Sequence, residues 1–302
     1  MNRRPEASRI TSQTRPGDPY ANSEVELSVT LNVSLVEVIF MRYKLHPEAK
    51  PQLTLLLAAT LVTVVLWFIP YAEYAVYPIR LFVTFIHESS HALVALITGG
   101  SVQSLTVSAD GSGVVYSSGA SLFGTLFTSS AGYLGTTAFG IVLLYLMRRN
   151  VSSNKILLCL GGFIGLVTLV FGVICPLFNF LSLNVPFSSL AFTIVVGIAL
   201  SAGLMALALY GSSKVANWAV AFLAVQCLLN AISDLKTVLF INSPLAGSDI
   251  QNDAGNMAAA TGIPAFIWVL IWIVIAAVML VIGMRFYAIR KASPAPDSLF
   301  ND

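Results

Sequence analysis

Long apolar runs separated by short polar connections make up most of the chain from residue 52 onward. A helix needs about 20 residues to cross roughly 30 Å of hydrocarbon, because each residue adds about 1.5 Å. The pattern therefore predicts an α-helical polytopic membrane protein with about six to seven transmembrane helices. The predicted spans lie at 52–70, 76–98, 121–147, 156–175, 188–211, 215–240 and 264–284.

The two ends of the chain differ from this pattern. Residues 1–50 are polar, with scattered arginines among Pro, Ser and Asn, as is typical of a disordered tail. Within them, 28–42 is apolar enough for a helix that lies in the membrane interface. Residues 291–302 are predicted to form a second disordered tail, so the membrane domain is predicted at 51–290.

The helical pattern is interrupted between the second and third predicted spans. Gly99 and Gly100 suit a helix end. The turn pair Asp110-Gly111 lies between short β-prone runs, which predicts a β-hairpin over 102–116. At membrane depth such a hairpin must be buried in protein or line a cavity. A surface hairpin outside the bilayer is the alternative.

Composition narrows the class of protein. Of 302 residues, 57% are hydrophobic and 10% are charged, whereas soluble domains average about 25% charged residues. This excludes a soluble enzyme and makes the lipid bilayer the expected surroundings. A net charge of +2 gives no reason to expect a nucleic-acid partner. The three cysteines lack the spacing of a metal site or a disulfide framework.

The strongest chemical signal is the run His87-Glu88-Ser89-Ser90-His91 inside the second predicted span. Residues four apart lie about 40° apart around a helix, so His87 and His91 project from one face. Two imidazoles in this arrangement can bind one Zn²⁺, with Glu88 beside them as general base. Ionisable residues inside a span are costly and mark function by default.

A catalytic zinc usually takes a third protein ligand. Asp234 is the first candidate, because it is the downstream acid that lies well inside an apolar span. Asn230, one helical turn earlier, is expected to orient this carboxylate or to bind substrate backbone. Asp253, in the predicted loop 241–263, is the runner-up, although a turn or helix-cap role is expected for it.

These motifs resemble the site-2 protease family of membrane-embedded zinc metallopeptidases, in its compact branch without a PDZ-type domain. The resemblance covers roughly residues 76 to 284 and rests on four runs. It implies that His87, His91 and a distant transmembrane aspartate hold zinc and that Glu88 is the general base. The runs are Phe85–Leu93, Thr98–Gly100, Asp110–Val114 and Ala131–Gly135.

The expected function is hydrolysis of peptide bonds in or near transmembrane segments of membrane-anchored proteins. An edge strand of the hairpin, with Val107 as a substrate-contacting residue, is expected to pair with an unwound substrate. Two alternatives remain: a catalytically retired scaffold that binds membrane clients, and a metal or proton transporter. Glu88 argues against the scaffold, and the concentration of ionisable residues in one pentad argues against the transporter.

Overall fold

A computed structural model describes residues 49–66, 69, 71–118, 121–179, 185–242 and 252–288. The interfacial helix predicted at 28–42 and the disordered tail at 291–302 lie outside these residues. The secondary structure consists of eight described helices and one hairpin. They are α1 (Ala49–Leu66), α2 (Ala72–Ile97), β1 (Ser101–Val107), β2 (Gly113–Ser118), α3 (Leu122–Arg148), α4 (Ser153–Phe178), α5 (Phe187–Tyr210), α6 (Ser213–Ile241), α7 (Asp253–Thr261) and α8 (Ala265–Ala288).

Each predicted span corresponds to one long helix. Within the described ranges, five helices are long and apolar enough to cross a membrane, namely α3, α4, α5, α6 and residues 265–283 of α8. The mostly helical fold and these five helices support an integral membrane protein. The other two predicted spans correspond to α1 and α2, and their crossing of the membrane stays a prediction. Arg80, His87, Glu88 and His91 all lie on α2.

The predicted hairpin is present between α2 and α3 as a two-stranded antiparallel sheet. Gly99 ends α2 with a φ of +84°, and Gly111 has the same φ in the hairpin turn, where a side chain would be strained. The Asp110 carboxylate accepts hydrogen bonds from the Ser112 N–H (2.9 Å) and hydroxyl (2.7 Å). The Thr84 hydroxyl of α2 donates to the Gly111 carbonyl (2.8 Å), which fixes the turn against this helix.

Helix α2 lies at the centre of the packing. It contacts α3, α5, α6 and both strands. Its buried apolar residues, which include Phe82, Phe85 and Ile86, belong to the main core cluster. The helix therefore presents one apolar face to the core and leaves a polar face for the site described below.

Helix α7 was not expected, because the sequence pattern predicts a loop over 241–263. Its small apolar face holds it in place: Ala254 and Met257 are fully buried in a cluster with Tyr133, Leu235 and Trp272. Asn252 caps the helix by accepting a hydrogen bond from the Gly255 N–H (3.0 Å). The Asn252 side-chain oxygen also accepts a hydrogen bond from the Asn242 amide at the end of α6 (3.3 Å), so the start of α7 is fixed to α6.

Candidate metal centre

The two histidines of α2 project from one face, as their spacing predicts. Their ring centroids are 4.8 Å apart. The Asp253 carboxylate at the start of α7 lies 3.4 Å from His87 Nε2 and 3.2 Å from His91 Nε2. One ligand atom from each of these three residues falls within 4.8 Å of the others. Two imidazole nitrogens and one carboxylate oxygen are a donor set suited to a catalytic zinc, so these residues fit the metal.

A second contact sets the orientation of His91. Its Nδ1 lies 2.6 Å from the Thr128 carbonyl oxygen on α3, and a carbonyl can only accept. Nδ1 therefore donates to this carbonyl, and Nε2 is the ring nitrogen that faces the Asp253 carboxylate. Outer contacts of this kind fix the tautomer and direction of a metal-binding histidine.

The Asp253 carboxyl is held in its ionised form. Burial by itself would raise its pKa, but His91 and His87 together bring that pKa below the usual range. The ionised carboxylate is the form that binds a metal. Its side chain is 19% exposed, so the group is enclosed by protein rather than free in a loop.

Close approach of α3 to α2 completes the centre. A Cβ atom at Gly132 would overlap Nε2 of both His87 and His91, and one at Gly135 would come within 2.5 Å of the Ser90 hydroxyl. Glycine is therefore required at Gly132 for the ligand atoms to occupy their places. In the sequence, the spacing of small residues in the run Ala131–Gly135 indicates close helix packing. It does not indicate that this run lies beside the metal ligands.

These residues open onto a cavity of about 1060 Å³. Helices α2, α3, α6 and α7 and strand β2 line it. Glu88 is buried but reaches this space, and a Cβ at Gly113 would lie 2.5 Å from its Oε1. The cavity therefore joins the metal ligands, the predicted base and the start of β2 in one compartment.

Asp234 and Asn230 of α6 line the same cavity, but the structure does not bring Asp234 into the three-residue cluster. Its carboxylate is exposed to the open space, within electrostatic range of His87 and Arg80. The Asn230 amide donates to the Gln226 backbone carbonyl (2.9 Å) and side-chain oxygen (3.2 Å). The geometry thus favours the runner-up, Asp253, because the cap of α7 directs its carboxylate toward the histidines.

Val107 does not line the cavity. It is fully buried, and its N–H donates to the Thr193 hydroxyl of α5 (2.7 Å). Its backbone donor is therefore already used by the protein. The strand that borders the cavity is β2, all six residues of which are among the lining residues. The substrate contact expected of Val107 is better suited to β2.

Comparison with known proteins identifies the family of this chain. No curated protein and no solved structure matches the chain. A family model described as Peptidase M50B-like matches residues 56–283, which is most of the chain and includes every element of the centre. That match is consistent with the resemblance to site-2 proteases and implies protease activity. The chain therefore belongs to the Peptidase M50B-like family.

Proposed function

We propose that this protein is a membrane-embedded zinc metalloprotease that hydrolyses peptide bonds in or near the transmembrane segments of membrane-anchored proteins. One observation carries the proposal: His87, His91 and Asp253 converge beside Glu88 in a cavity that helices α2, α3, α6 and α7 and strand β2 line. A scaffold or a transporter has no need of a carboxylate at Glu88, directly beside two metal ligands.

His87, His91 and Asp253 are the residues that would hold the metal. Zinc bound there would polarise the scissile carbonyl and lower the pKa of a water molecule. Three protein ligands leave room for that chemistry, because a catalytic zinc keeps one coordination position open. The hydrogen bond from His91 to Thr128 keeps one imidazole aligned throughout the reaction.

Glu88 supplies the proton transfers. Its carboxylate takes a proton from the attacking water, and the water oxygen forms a bond to the carbonyl carbon. The same group then gives the proton to the amide nitrogen as the C–N bond breaks, so protons balance over the cycle. Burial of Glu88 (5% exposed) keeps bulk water away from these steps.

The free edge of β2 suits an extended substrate. β1 is largely buried and its outer edge is occupied by Thr193, whereas four of the six residues of β2 are exposed. Val107 lies opposite Gly113, and its N–H points away from β2. The two residues are therefore a non-hydrogen-bonded pair of the antiparallel ladder. Two residues further, Val115 opposite Leu105 also points its backbone groups outward. An unwound substrate can satisfy its own backbone by bonding there.

We expect Val115→Pro to reduce peptide cleavage at least tenfold while zinc content stays unchanged. Proline removes an N–H that points away from the ladder between β1 and β2, and edge strands tolerate proline on that side. The matched control is Val115→Ala, which shortens the side chain but keeps the N–H. Equal losses in the two variants would show that the side chain and not the strand edge matters.

Removal of the metal tests the function as a whole. The protein, reconstituted in lipid vesicles with a panel of single-span reporter proteins, is treated with 1,10-phenanthroline and then resupplied with zinc. We expect cleavage within or beside the reporter spans to stop and then return, as measured by mass spectrometry of the released peptides. Cleavage that persists without metal would contradict the proposal, and reporters bound but never cut would favour the scaffold.

A further inference from the structure

Tyr133 of α3 lies directly beside the metal ligands. Its ring meets the His87 ring edge-on with the centroids 4.7 Å apart, and it also packs against Trp272 at 5.5 Å. The Trp272 indole N–H donates to the Ser130 hydroxyl (3.0 Å), which fixes the indole to α3. The tyrosine side chain is thus held between a ligand and a pinned aromatic ring, in one position.

The hydroxyl of Tyr133 has no assigned task within the fold. The residue is only 6% exposed, and buried tyrosine hydroxyls normally have a hydrogen-bond partner. Among the described residues none bonds to it, although the side chain borders the cavity. It lies within electrostatic range of Asp253, Asp234 and Glu88, which surround the space where the reaction would occur.

Other side-chain donors near the histidines are less suitable. Thr128 also lines the cavity, but its hydroxyl, which has no partner among the described residues, is buried. The amide of Asn230 already donates to Gln226. Ser129 borders the cavity one turn before Tyr133 and is also buried, but its side chain is much shorter than that of a tyrosine.

From this geometry we infer that Tyr133 is a further catalytic residue, whose hydroxyl donates a hydrogen bond to the carbonyl oxygen of the scissile peptide. The inference rests on the proposed function. When the water oxygen bonds to the carbonyl carbon, an electron pair moves onto the carbonyl oxygen, and the hydroxyl stabilises that charge without giving up its proton. When the C–N bond breaks, the pair returns to the carbonyl. Donors placed in this way act mainly in the transition state.

The test compares Tyr133→Phe with wild type, both loaded with zinc in detergent. The probe is an acetylated Leu-rich hexapeptide in which a phosphinate group replaces the central peptide bond, since its anionic oxygens imitate the charged carbonyl oxygen. We expect calorimetry to give a Kd that is about 10- to 100-fold weaker for the variant, and kcat on a cleaved reporter to fall by about 10²- to 10³-fold, as for removal of one such donor. Zinc content stays at the wild-type level.

Two further variants separate this role from packing. Tyr145→Phe removes a hydroxyl from the same helix at an exposed position outside the cavity lining and is expected to bind the probe like wild type. Ser129→Ala is expected to change the Kd less than threefold. The inference is overturned if Tyr133→Phe binds the phosphinate as tightly as wild type, if Ser129→Ala carries the loss instead, or if zinc-loaded wild type does not bind the probe. A wild type that takes up no zinc would instead reject the proposed function itself.

Discussion

Glu88→Gln is expected to abolish hydrolysis while the protein keeps its zinc. The amide has nearly the shape of the carboxylate but cannot take a proton from water, and general acid–base catalysis typically contributes about 10²- to 10⁴-fold. Because Glu88 is not one of the three clustered residues, metal affinity should change little. Reporter cleavage and zinc content, measured on the same preparation, give the two readings.

The fold should also tolerate this change. Glu88 is buried against Gly113, and glutamine occupies the same volume there. A thermal midpoint close to wild type therefore accompanies the loss of activity. Hydrolysis within tenfold of the wild-type rate would mean that another group is the base, and zinc loss equal to that of a ligand variant would mean that Glu88 is itself a ligand.

Gly132→Ala is expected to remove metal binding altogether. The added methyl group would overlap the Nε2 atoms of both histidines, so His87 and His91 must turn away or α3 must withdraw from α2. Either movement separates the two nitrogens from the Asp253 oxygen. Zinc content measured by atomic emission should fall from about one per chain to near zero.

Gly135→Ala is the matched control for this prediction. It adds the same methyl group to the same helix, again facing α2, but its Cβ meets the Ser90 hydroxyl and no ligand atom. Both variants strain the contact between α2 and α3, and both are expected to lower the thermal midpoint. The control should nevertheless keep its zinc. Zinc loss in both variants alike would show that helix separation, and not the ligand positions, accounts for the effect.

The features that the sequence predicts correctly are local ones. The helical runs follow from length and hydropathy, and the hairpin follows from the pair Asp110-Gly111 between β-prone residues. The facing of His87 and His91 follows from helix geometry alone, since four residues make little more than one turn. Each of these depends on residues that are close together in the chain.

The features that the sequence left open are non-local. Asp253 lies 162 positions after His91 in a stretch without clear periodicity, and it reaches the histidines only because α7 docks its Ala254 and Met257 against Trp272. The sequence favours Asp234 because an acid inside an apolar span signals function, and Asp234 does line the cavity. Which carboxylate reaches the histidines depends on how α6 and α7 are joined, and hydropathy carries no information on that.

The same reasoning applies to the hairpin. The short β-prone runs on either side of Asp110-Gly111 predict two strands but do not say which one has a free edge. That depends on Thr193, 86 residues after Val107, whose hydroxyl bonds to the N–H and the carbonyl of Val107 and so occupies the outer edge of β1. Because the outer edge of β1 is occupied, the free edge of the hairpin is that of β2. A single distant side chain thus decides which strand edge stays free for the extended substrate of the proposed function.

The most direct test of the metal centre is the zinc content of wild type, Asp253→Ala and Asp234→Ala, purified side by side in detergent. The geometry predicts about one zinc per chain in wild type and in Asp234→Ala, and loss of zinc in Asp253→Ala, because Asp253, and not Asp234, lies within 3.4 Å of both histidine nitrogens. Loss of zinc in Asp234→Ala with retention in Asp253→Ala would contradict this account and assign the third ligand to α6.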